Sequence, residues 1–248
     1  RQGSGIESDF PNYIFNQKVI SSGKVTTLSE YSIVSENRLT PVPKNTPSEF
    51  CAILGCALTT ALGIIDNEVD IKFGESVAII GCGGVGLNLI QGAFMKNAYP
   101  ILAVDNNSSK KELCLKSGAS QFIERINELD NESIDIIIDT TGIPFVINQA
   151  VTKLSSHGRM ILVGQPAPGQ GIELMNALSL FNGIGKTIKA TQGGKTNPTI
   201  DIPRYVKLQQ KGLLNVNYLF THRFKLDDVN DAFSLLQKGD AGRILIDI

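Results

Sequence analysis

Gly81-Cys82-Gly83-Gly84-Val85-Gly86 follows the apolar run Ser76-Val77-Ala78-Ile79-Ile80 and opens a helical pattern, and Asp105 closes the next apolar strand nineteen residues after Gly86. These residue types at this spacing suit the pyrophosphate and ribose of a dinucleotide. Gly81 permits a tight turn, Gly83 lets the backbone approach a pyrophosphate, and Gly86 removes a side chain where helix and sheet pack closely. The helix that starts at Gly84 presents unpaired N–H groups and a positive dipole end to phosphate oxygens. A carboxylate at Asp105 accepts hydrogen bonds from the adenosine ribose hydroxyls and repels a 2′-phosphate, which favours NAD over NADP. A glycine-rich turn without a ligand is the alternative, but it gives no reason for the strand, helix and terminal acid around the glycines.

These residues need a parallel sheet to position them. From Ser76 onward the chain alternates strand and helix patterns, with strands expected at 76–81, 100–105, 120–123, 134–139, 159–164 and 186–192 and helices at 84–97, 108–117 and 144–155. The runs Ile134-Asp135-Ile136-Ile137-Ile138-Asp139 and Met160-Ile161-Leu162-Val163 are continuously apolar in the way of strands covered on both faces. The expected fold is therefore α/β, a doubly wound parallel sheet with two mononucleotide-binding halves. Upstream, the stretches 24–28 and 30–34 read as strands of a small β-rich region. Thr46-Pro47-Ser48-Glu49 reads as a helix start, with the helix broken near Gly55 and ending about Asp66. After Gly193-Gly194 the wound pattern stops. A helix at 202–212, a strand at 218–224, a helix at 227–238 and a last strand at 243–248 follow.

Composition narrows the classes. A chain of 248 residues has ample core for one large or two modest domains. A formal net charge of −1, with lysines dispersed, gives no footprint for nucleic acid or an anionic membrane surface. Cys51, Cys56, Cys82 and Cys114 have no paired spacing, which fits a reducing, cytoplasmic setting. His157, expected in a loop, and His222, expected in a strand, have no ligand spacing and read as ordinary polar positions.

Leu54-Gly55-Cys56-Ala57-Leu58-Thr59-Thr60-Ala61-Leu62-Gly63 precedes the glycine turn. Val104-Asp105, Asp139-Thr140-Thr141-Gly142, Val163-Gly164, Gly185-Lys186-Thr187, Gly193-Gly194 and Gly242-Arg243-Ile244 follow it. With these motifs the chain resembles the medium-chain zinc alcohol dehydrogenases over nearly its whole length, closest to the classical and glutathione-dependent formaldehyde dehydrogenase branch. The resemblance implies a Rossmann domain at 58–193 flanked by two parts of a discontinuous, β-rich, GroES-like catalytic domain, at 1–57 and 194–248. It implies NAD and zinc as cofactors and a small alcohol or aldehyde as substrate, with Cys56 as one zinc ligand and Thr60 near the nicotinamide. Lys110 would steady the adenosine ribose, Arg243 would reach the pyrophosphate, and Thr140, Thr141, Val163 and Gly164 would lie along the cofactor at the sheet's carboxyl edge. It also implies a homodimer through an edge strand near 186–191.

The sequence departs from that family's pattern in its metal ligands: no CxxC and no Gly-His-Glu occurs in it. One thiolate does not make a three-ligand zinc site. The expectation is a C-terminal portion of a zinc dehydrogenase that binds NAD and turns over little or no alcohol by itself. Two alternatives remain: a zinc-free medium-chain reductase, opposed by Cys56 and Asp105, and a noncatalytic NAD-binding module.

Overall fold

The computed structural model describes residues 5–20, 23–174 and 177–248. Residues 1–4 and 21–22 of the expected 1–57 segment lie outside them. The centre of the chain is a six-stranded, wholly parallel sheet. Numbering strands in chain order, β1 (Tyr13–Phe15) and β2 (Lys18–Ile20) form a hairpin near the start. The sheet contains β3 (Val77–Ile80), β4 (Ile101–Val104), β5 (Gln121–Ile123), β6 (Ile134–Asp139), β7 (Leu154–Leu162) and β8 (Thr187–Ala190). Their order is β5-β4-β3-β6-β7-β8, so the direction of winding reverses between β3 and β6. In a doubly wound sheet that reversal opens a crevice at the strands' carboxyl ends, where ligands bind.

Alternate side chains of the central strands enter two different cores, as a sheet covered on both faces requires. Val77, Ile79, Ile136 and Ile138 join the larger cluster with residues of α1 (Ser48–Leu54), α2 (Ala57–Ile64), α3 (Gly84–Met95) and α6 (Pro198–Gln210). Ala78, Ile80, Ile134 and Ile137 join the other, built on α5 (Pro144–Val151) and the loop around Ile126 and Leu129. Helix α4 (Lys111–Lys116) links β4 to β5. The final residues form a strand, helix and strand unit, β9 (Phe220–Lys225), α7 (Val229–Lys238) and β10 (Arg243–Asp247), whose strands pair in parallel as a separate two-stranded sheet.

Several expectations need correction. Residues 24–28 and 30–34 form no strands; the only strands before residue 48 among the described residues are β1 and β2. Strand formation needs a hydrogen-bonded neighbour, and the positive φ of Leu28 (60°) interrupts any extended run there. Ile14, Phe15, Val19, Tyr31 and Ile33 are correspondingly exposed. The helix 144–155 ends at Val151, and β7 begins at Leu154, so His157 lies within a strand. The break near Gly55 is present, but the helix continues past Asp66 through one wide π turn, Ile65–Val69. Arg159 holds that turn to the sheet: its guanidinium donates to the Val69 carbonyl at 2.5 Å and to Glu75 at 2.7 and 2.9 Å.

Among the described residues no single helix is long and apolar enough to cross a membrane. The bent succession Ser48–Leu54 and Ala57–Val69 approaches that length, but its apolar side chains are packed in the larger core.

Candidate nucleotide-binding site

The chain turns at the carboxyl end of β3. Gly81 adopts φ 86°, in the left-handed region that favours glycine, and its N–H donates to the Val104 carbonyl at 2.8 Å. Gly83 precedes α3 in extended conformation, and Gly84 begins the helix. A Cβ at Gly86 would collide with the Gly81 carbonyl oxygen, so the helix can sit this close to the turn only with glycine there. Val85 packs half-buried against the core and anchors the same turn.

Asp105 joins the turn to the next strand. Its Oδ2 accepts from the Cys82 N–H at 2.7 Å and from Lys110 Nζ at 3.0 Å, while Oδ1 accepts from the Asn107 N–H at 2.9 Å. The carboxylate is thus fixed before any ligand arrives, with further lone pairs open to ribose hydroxyls. Ile80, Gly81, Asp105 and Thr141 line an open cleft of about 390 Å³, together with Arg125 and Ile126 after β5 and Phe145 and Val146 of α5. The residues after β5 and those of α5 carry no motif that marks them in the sequence.

Arg243, the first residue of β10, brings the chain's last segment to this turn. A Cβ on Gly84 would strike its Cδ and guanidinium, so the absence of a side chain at Gly84 makes room for the arginine over the N-terminus of α3. Burial lowers the Arg243 pKa, and nearby Cys56 opposes that shift. No carboxylate forms an ion pair with Arg243 among the described residues. A partly buried guanidinium without a counter-charge, above a helix N-terminus, is a place for an anion. The glycine cradle, the fixed acid and this cation together fit a dinucleotide.

At the ends of β6 and β7 the backbones approach closely. Thr140 Oγ1 donates to the carbonyls of Gly81 at 2.8 Å and Ile80 at 3.0 Å, so its hydroxyl ties strands together. Thr141 lines the cleft. The Val163 and Gly164 N–H groups donate to the Asp139 carbonyl at 2.8 and 3.1 Å, and a side chain at Gly164 would collide with the Gly142 nitrogen. Sequence reasoning overlooked the Asp139 side chain, although its place at the end of an apolar strand, before Thr-Thr-Gly, was a signal.

Cys56 is exposed just before α2 and shares a second cleft, of about 710 Å³, with Thr59, Thr60, Gln192 and Gly193. The donor set for zinc in this cleft is incomplete. No three His, Cys, Asp or Glu side chains gather at one point among the described residues. His157 stands 3.5 Å from Asp135, and His222 Nδ1 lies 2.9 Å from the Thr221 hydroxyl, each on its own strand. Cys82 and Cys114 are buried. One cysteine does not fit catalytic zinc.

Comparisons with known proteins agree with this geometry. The family model for zinc-binding dehydrogenases matches residues 84–209. The S-(hydroxymethyl)glutathione dehydrogenase of Saccharomyces cerevisiae is 29% identical over 262 residues, covering 99% of this chain and 67% of that protein. That of Escherichia coli O1:K1 / APEC is 31% identical over 259 residues, covering 99% and 69%. Among solved structures, benzyl alcohol dehydrogenase from Acinetobacter calcoaceticus superposes with a TM-score of 0.80 at 28% identity, covering 88% of this chain and 61% of its own. An alcohol dehydrogenase zinc-binding domain protein from Burkholderia ambifaria gives 0.78 at 30%, covering 86% and 60%. The chain therefore spans roughly three-fifths to two-thirds of the length of such relatives. With Asp105 hydrogen-bonded to its glycine turn and Arg243 against Gly84 of the same turn, and with these matches, the chain belongs to the zinc-binding dehydrogenase family.

Proposed function

We propose that this chain binds NAD across the β3/β6 crevice and supplies the nucleotide-binding part of an NAD- and zinc-dependent oxidoreductase acting on an alcohol or aldehyde. The observation that carries the reading is the unpaired Arg243 guanidinium above Gly84 and the α3 N-terminus. In this reading the Gly83–Gly86 backbone and Arg243 hold the pyrophosphate. Asp105, steadied by Lys110, binds the adenosine ribose in the cleft that Thr141 also lines, and Val163 and Gly164 border the nicotinamide half. NAD supplies the carbon that accepts or donates hydride; the chain's part is to bind it and orient it toward the Cys56 cleft. Thr60 borders the substrate side of that cleft.

Because Cys56 alone does not fit zinc, the 248-residue chain should bind nucleotide and fail to turn over. The test is absorbance at 340 nm with a panel of primary alcohols, NAD and added zinc, run beside an NADH fluorescence titration. Binding without turnover supports the proposal, and zinc-dependent turnover at ordinary enzyme rates refutes it. A zinc-free reductase using NADPH is disfavoured by Asp105, whose carboxylate would face the 2′-phosphate.

The segments 1–57 and 194–248 are proposed as the two parts of the catalytic domain around the nucleotide-binding 58–193. A homodimer through β8 is proposed on two grounds. β8 is the last strand of the sheet, with no further strand paired on its outer side among the described residues, and Leu178, Phe181 and Ile184 just before it are exposed. The free cysteines support a reducing, cytoplasmic location.

A further inference from the structure

The cleft that Asp105 lines is largely apolar. Ile80 and Val104 border it at the strand ends, Ile126 borders it after β5, and Ile143 and Phe145, 51% and 67% exposed, leave apolar surface open beside it. Apolar side chains left open around a cleft suit the flat faces of an aromatic base, and such contact is indifferent to which base it is. Discrimination between bases needs a polar group at the base's edge. Asp105 and Thr141 are already engaged, Asp105 with the Cys82 N–H and Lys110, and Thr141 with Asp139. Asn106, Glu124, Arg125 and Asn127 are exposed.

Gln149 differs from these: it is half-buried and its amide is unengaged. It sits on α5 three residues after Val146 and four after Phe145, so the three share the helix face that lines the cleft. Its backbone carbonyl accepts from the Thr152 N–H at 3.1 Å and the Thr152 hydroxyl at 2.7 Å, but its side-chain amide has no hydrogen-bond partner among the described residues. A carboxamide brings one donor group and one acceptor side by side. Adenine presents the complementary pair on its N6 and N7 edge, an amine beside a ring nitrogen. Hypoxanthine carries a carbonyl in place of the amine. Its corresponding edge offers two acceptors, and the amide, turned either way, satisfies only one of them. We propose that Gln149 is a specificity residue that reads the N6 and N7 edge of the base and makes this site select adenine over 6-oxopurine dinucleotides. The assignment rests on the nucleotide site proposed above, with the adenosine ribose at Asp105, and adds to it the choice of base.

The experiment measures the dissociation constants of NADH and of reduced nicotinamide hypoxanthine dinucleotide by fluorescence titration of the 248-residue chain, its Gln149→Leu variant and an Asp105→Asn control. The two dinucleotides differ only in the purine. Leucine keeps a comparable bulk and helix preference and removes both polar groups. The wild-type chain should bind NADH about tenfold more tightly than the hypoxanthine analogue, in the lower part of the range for a bidentate amide contact with a base because the cleft is open to water. In Gln149→Leu the ratio should fall to about one through weaker binding of NADH. Asp105→Asn should weaken both alike and keep the ratio, because the ribose is common to them. A purely structural role for Gln149 would weaken both dinucleotides equally and leave the ratio unchanged, which would overturn the assignment.

Displacement of NADH by AMP and by IMP gives a second readout, confined to the half of the ligand that carries the base. AMP should compete better than IMP with the wild-type chain by a similar factor, and the two should compete equally with Gln149→Leu. Should Gln149→Leu fail to fold, Gln149→Ala makes the same comparisons without added apolar bulk. Failure of the wild-type chain to bind either dinucleotide would overturn the nucleotide reading, and this assignment with it. Binding of both dinucleotides with equal affinity by the wild-type chain, or with an unchanged ratio when the amide is removed, overturns this assignment alone.

Discussion

Replacing Arg243 with methionine isolates what its charge contributes. Methionine keeps most of the side-chain stem that lies over Gly84 and removes the guanidinium, so packing changes little while the cation disappears. A unit charge pair at 4 Å interacts by about 4 kcal/mol at an effective dielectric of 20, and hydrogen bonds to charged groups contribute about 1.5–3 kcal/mol net. Arg243 is only partly buried and salt screens it, so the lower half of that range applies. The loss should be about 1.4–2.7 kcal/mol, or 10- to 100-fold in the dissociation constant for NADH. Because Arg243 makes no ion pair among the described residues, the free variant loses no salt bridge. Its thermal midpoint without nucleotide should stay within about 2 °C of wild type. The assay is an NADH titration by fluorescence at fixed ionic strength, paired with thermal unfolding of the free protein. Unchanged affinity would refute the placement of an anion under Arg243. A large fall in the midpoint of the free protein would show that the arginine serves the fold instead.

Gly86→Ala should destabilise the chain by about 2–3 kcal/mol or prevent folding, because its Cβ would meet the Gly81 carbonyl oxygen and neither backbone can yield; urea unfolding measures this. NADPH should bind at least about 100-fold more weakly than NADH, and Asp105→Ser should narrow that gap by removing the carboxylate that would face the 2′-phosphate; competitive titration reads both constants. Ile184→Glu, placing a charge on the exposed apolar patch before β8, should shift the chain to monomer in sedimentation velocity at micromolar concentration. A chain that is already monomeric before the substitution would refute the β8 interface.

The sheet was legible because its signals are local. Continuous apolar runs marked β3, β6 and β7, the glycines marked the turn, and Asp105 marked the end of β4. Local sequence is silent where a neighbour decides the outcome. Residues 24–28 and 30–34 have strand-like alternation but no partner strand, and alternation without a ladder does not hold a chain extended. The end of α5 was placed late because Thr152 and Lys153 carry no helix-stopping residue; the pull of Leu154 into the β6 ladder sets the boundary. In the site, the glycines are readable from their spacing, whereas the Thr140 hydroxyl bridges two strands, a contact visible only when β3 and β6 lie side by side. An acid after an apolar strand, such as Asp139, resembles any strand end in sequence; its burial and its donors Thr141 and Gly142 emerge only in the fold.

As proposed, the chain holds a complete NAD site and an incomplete zinc site. Isothermal titration of the chain with NADH, in the presence of a strong zinc chelator and again with added zinc, tests both halves together. One NADH should bind per chain with the same affinity in both conditions, and no stoichiometric zinc should be retained after dialysis. Binding that appears only when zinc is supplied, or a firmly held equivalent of zinc on the isolated chain, would contradict it.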